Sequence, residues 1–78
     1  MDKPEVMARA IESFLQASEA VATQLGLEDT IIFERLESLK KAFLEAKAQN
    51  DVKLMQSIMK DISKLGEDIL EVAKTTSR

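Results

Sequence analysis

Pro4, Gly26 and Gly66 are the only strong helix breakers in this 78-residue chain, and between them apolar side chains recur every three or four positions. So few interruptions confine the chain to a small number of long helices. A strand would need alternation by two, and no segment shows it.

The first helix has a readable start and end. Asp2 is placed to cap the free amides, Pro4 falls in the first turn where its missing N–H is harmless, and Glu5 follows the cap by three. Gly26 suits the left-handed position after the last turn, with Leu27 folding back onto Val21 and Ala22. Helix is therefore predicted over about 3–25. Within it Met7, Ile11, Phe14, Ser18, Val21 and Leu25 alternate by four and three, the spacing of a bundle seam, and Leu15 falls off that seam. Ala8, Ala10, Ala17 and Ala22 widen the stripe with small side chains, and Ser18 is expected to bond a carbonyl of the preceding turn.

Glu28, Asp29 and Thr30 supply acidic and capping residues for a second helix over about 29–48, with Ile32, Leu36, Leu39, Phe43 and Ala46 as its seam. Asn50 can close that helix in a left-handed conformation while Asp51, or Asn50 itself, caps a third over about 51–74. So tight a connection makes the two helices antiparallel neighbours. The third seam is the cleanest: Met55, Ile58, Ile62, Leu65, Ile69 and Val72 keep phase through Gly66. Residues 75–78 are expected to fray.

These segments predict a single all-α domain over 1–78. It is either an antiparallel three-helix bundle or a long α-hairpin with an N-terminal helix, the latter completing a dimeric bundle with a second copy. A composition of 45 % apolar and 32 % charged residues is too apolar for disorder and too charged to span a bilayer. The N-terminus lacks the basic start and apolar core of a signal peptide, which makes the cytoplasm the expected compartment.

Chemistry is limited by what is missing. The chain has no His, Cys, Trp or Tyr, which removes the common metal, haem and iron–sulfur ligand sets and most nucleophile–base pairs. Electrostatic catalysis of the kind found in small helical chorismate mutases needs several converging cations. Here the arginines are Arg9, Arg35 and Arg78, and none lies on a seam. The reading is non-enzymatic, with no cofactor and no metal.

Charge is uneven along the chain: residues 1–30 carry net −4, 31–64 net +2 and 65–78 net −1. A nucleic-acid reading would set Lys40, Lys41, Lys47, Lys53, Lys60 and Lys64 along phosphates, as in a transcriptional, phage or plasmid regulator. Against it stand scattered base-reading side chains and a connection unlike the short Gly-containing turn of a helix-turn-helix. The plainer reading is a solvated face with pairs such as Glu37–Lys41.

Apolar residues left over after the seams are assigned are more informative. Met59, Gly66, Leu70 and Ala73 form a second band on the third helix, and Phe33 and Leu44 lie off the seam of the second. Such a band either packs against the first helix or docks a partner by i, i+3, i+4 and i+7 anchors. Gly66 inside an unbroken helix suggests a close helix crossing. The small, acidic, all-helical profile resembles secretion-system chaperones and small adaptor or regulatory subunits, a likeness of size and composition. The expected role is a protein–protein interaction module presenting a helical hairpin to another protein or to a second copy of itself.

Overall fold

Two tight turns fold the chain back on itself, and each is set by a residue with positive φ. In the first, Gly26 sits at φ +73°, its N–H donating to the Thr23 carbonyl at 3.0 Å while the Leu27 N–H reaches the Ala22 carbonyl at 2.9 Å. That pair of bonds satisfies the last carbonyls of the helix and turns Leu27 onto the core. In the second, Asn50 adopts φ 52°, ψ 40°, and the Asp51 N–H donates to the Ala46 carbonyl at 2.9 Å. Asp51 Oδ1 then accepts the Leu54 N–H at 3.1 Å and caps the next helix. Both turns match their sequence signals.

The computed structural model describes residues 3–76 as three helices, α1 (Lys3–Gln24), α2 (Ile31–Gln49) and α3 (Val52–Thr76). They pack as an antiparallel three-helix bundle, with α1 and α3 running parallel and α2 opposed to both. Pro4, Asn50 and Met55 meet at one end. The expected cap Asp2 and the tail residues Ser77 and Arg78 lie outside the described residues. Two boundaries differ from expectation by more than one residue. Helix α2 begins at Ile31 because the Thr30 hydroxyl donates back to the Leu27 carbonyl at 2.7 Å instead of capping the helix amides. Helix α3 runs on through Thr75, whose hydroxyl donates to the Glu71 and Val72 carbonyls and so holds the last turn.

Ile32, Leu36, Phe43 and Ala46 of α2 and Met55, Ile58, Ile62, Leu65 and Ile69 of α3 are buried, as their periodicities require; Leu39 and Val72 pack partly buried against them. In α1 the phase is different. The buried residues are Ile11, Leu15 and Ala22, whereas Phe14 is 52 % and Val21 43 % exposed. The expected seam through Phe14, Ser18 and Val21 is thus corrected to one through Leu15 and Ala22. The apolar arc of α1 is wider than one seam, so adjacent residues compete for the core. Contact with two neighbours at once turns the Leu15 edge inward, and the small, fully buried Ala22 lets the helices approach. Ser18 is half-buried and makes no side-chain hydrogen bond among the described residues, which corrects that expectation also.

The bundle measures 44 × 21 × 16 Å, with a radius of gyration of 13.1 Å. A compact domain of this length has about 11.5 Å.

Candidate interaction surface

Three helices in a bundle leave three outer grooves, and these differ sharply in chemistry. Between α1 and α2, Lys40 Nζ stands 2.7 Å from Glu19 Oε1 and 4.0 Å from Glu37. The hydrogen bond to Glu19 raises the Lys40 pKa, opposed by desolvation and helped by the charges of Glu19 and Glu37. Glu37 therefore pairs with Lys40 rather than with the expected Lys41. Between α2 and α3, Arg35 donates to Asp68 at 2.7 Å. That hydrogen bond lowers the Asp68 pKa against a desolvation penalty, and the charges of Lys64 and Arg35 act in the same direction.

The α1–α3 groove is different in kind. Among the described residues no ion pair crosses it. Its walls are Ala17, Ser18 and Val21 on one side and Gly66, Leu70 and Ala73 on the other, with Ile69 between them. Leu70 is 56 % exposed and stands close to the exposed edge of Val21. A Cβ placed on Gly66 would meet nothing within 4 Å. The close crossing that Gly66 suggested therefore does not occur inside the chain. Glycine in mid-helix costs roughly 1 kcal/mol relative to Ala, and no intramolecular contact requires it here.

Of the six partner-binding candidates, Gly66, Leu70 and Ala73 come together in this groove, and Met59 shares their face by its seven-residue spacing from Gly66. Met59 is itself partly buried against the core. The other two are elsewhere: Phe33 packs partly buried on the core and Leu44, 66 % exposed, borders the α1–α2 groove. The six lysines are not gathered on one side. Lys40 lies in the α1–α2 groove, Lys64 in the α2–α3 groove, and Lys47 at the turn end, 5.9 Å over the Phe43 ring. Lys41, Lys53 and Lys60 are exposed. Arg35, scattered by sequence among possible base readers, is engaged with Asp68.

Phe14 and Val21 of α1 escaped the sequence reading of this surface because they had been assigned to the core, and Val6 was not singled out. Val6, Phe14 and Val21, with Ala17, form an exposed stripe on α1. The signal was present in the adjacent pair Phe14–Leu15, since two neighbouring large apolar residues cannot both occupy one narrow seam.

No family model, curated protein or solved structure matches the chain. Among the described residues no helix is long and apolar enough to cross a membrane.

Proposed function

We propose that this protein is a non-enzymatic protein–protein interaction module whose docking surface is the α1–α3 face. The observation that carries the reading is an apolar groove walled by Ala17 and Val21 of α1 and Leu70 and Ala73 of α3, with Phe14 exposed further along α1, uncrossed by any ion pair among the described residues. Single exposed apolar residues are ordinary, but a contiguous patch on a small protein marks a contact site. The face presented is the parallel α1–α3 pair, so the α2–α3 hairpin supplies one helix of it rather than the whole.

The test is a photo-crosslinking amino acid installed at position 70, with position 41 on exposed α2 as the control. Position 70 should yield adducts with a polypeptide, another protein or a second copy, and position 41 should not. Equal adducts from both positions, or none from 70, would refute the reading.

A further inference from the structure

We propose that the occupant of the α1–α3 face is a second copy of this chain, packed about a two-fold axis perpendicular to the helices, so that α1 and α3 each lie antiparallel to their own counterparts. The inference rests on the interaction-module reading and commits it to one partner.

Both stripes that line the face are self-complementary on reversal. On α1 the outward residues Val6, Ala10, Phe14, Ala17 and Val21 read the same in either direction. Reversal about the midpoint between positions 13 and 14 sets Ala10 against Ala17 and Val6 against Val21, and leaves the two Phe14 positions within one residue, about 1.5 Å of rise, of each other across the axis. On α3, Val52, Met59, Gly66 and Ala73 repeat every seven residues, with Gln56, Ser63 and Leu70 between them. Reversal sets Leu70 against Met59, Ser63 against Gly66 and Gln56 against Ala73, each pair occurring twice as an isologous interface requires.

The two centres of reversal lie at one level. Ala17 and Val21 stand beside Gly66, Leu70 and Ala73, so α1 residues are level with α3 residues about 50 positions later, the parallel helices rising equally. Phe14 is then level with Ser63–Gly66. One axis serves both helices, and Ser63 and Gly66 leave room where the two Phe14 rings meet. The vacant space at Gly66 finds its use there.

The charges on the α3 edge agree with this arrangement. Lys60 and Glu67 are exposed, flank the α3 stripe on one edge, and enter no ion pair among the described residues. Reversal brings Lys60 of each copy beside Glu67 of the other. It also brings Lys53 toward Lys74 at the exposed ends, where salt screens the contact. The chain exposes 5459 Å², against about 4,700 Å² for a compact monomer of 8.7 kDa. The excess, about 750 Å², goes with the elongated shape of the bundle.

Sedimentation equilibrium of the full chain from micromolar to millimolar concentration tests this, with circular dichroism checking the fold of each variant. The mass should rise from 8.7 kDa toward twice that value. Phe14→Glu, which puts two carboxylates on the axis, should weaken association by about 30-fold or more. Gly66→Ala should raise helicity while weakening association. Lys60→Glu and Glu67→Lys should each weaken it by about two- to fivefold, and the double swap should restore it. A chain that stays monomeric, a dimer indifferent to Phe14→Glu and Gly66→Ala, or a double swap without rescue would overturn the arrangement. Should Phe14→Glu unfold the chain, Gly66→Ala and the charge swap decide alone. A monomer that still crosslinks a different protein at position 70 would remove the second copy and leave the interaction module standing.

Discussion

The α1–α2 and α2–α3 grooves each carry one exposed apolar side chain, Leu44 and Ile31, beside a short ion pair that spans the groove, Lys40–Glu19 and Arg35–Asp68, whereas the α1–α3 groove exposes Val21 and Leu70 with no ion pair across it among the described residues. The difference is one of design rather than stability. Partly exposed ion pairs contribute about 0–1 kcal/mol, too little to hold a bundle together, but they make their grooves favourable to water. A groove lined by apolar side chains gains nothing from solvent and gains from any surface that covers it. The core holds all three helices; the grooves differ in what they present to water.

The contrast is broken or sharpened most strongly by truncations on either side of it. Leu36→Ala or Leu65→Ala, at fully buried positions, should cost about 2–5 kcal/mol in urea unfolding. Leu70→Ala, measured in dilute solution where the chain is monomeric, should stay within about 0.5 kcal/mol. A comparable cost at Leu70 would make the α1–α3 groove part of the core. The phase of α1 is tested in the same way. Leu15→Ala should cost about 2–4 kcal/mol and Phe14→Ala far less, and the reverse order would restore the seam that the spacing alone suggests.

The two glycines should respond with opposite signs in the monomer. Gly26→Ala forces a side chain into φ +73° and should cost about 1 kcal/mol. Gly66→Ala has open space and helical φ, and should gain about 0.5–1 kcal/mol. A loss at Gly66 in the monomer would mean that its space is already used within the chain.

The smallest effects belong to the bridged grooves. Asp68 is held below its ordinary pKa, so the stability it adds is present above about pH 4 and is lost as pH falls through its lowered value. Lys40 is held above its ordinary 10.5, so its contribution persists through that pH and disappears as pH rises further. Arg35→Met should remove much of the first dependence and Lys40→Met the second, in thermal melts across pH, with little change near neutrality. A large loss at neutral pH from either variant would show that the bridges do more than keep their grooves wet.

Much of this fold was legible before any coordinates. Gly26, Asn50 and Asp51 mark both turns because few residues tolerate positive φ and few side chains cap an amide. The α3 seam was legible because its apolar arc is narrow and admits one phase. The α1 seam was not, since Phe14 and Leu15 are adjacent and both large, and periodicity cannot rank them. Half of the candidate surface was visible as the band Gly66, Leu70 and Ala73. Its other half was hidden because a residue assigned to the core is not sought on the outside.

Local chemistry therefore determined the number of helices, their turns and the antiparallel order, since these depend on backbone conformation and short-range spacing. Only packing decided which edge of α1 faces inward. That choice depends on two neighbouring helices at once, and it also settles which apolar residues of α1 remain outside.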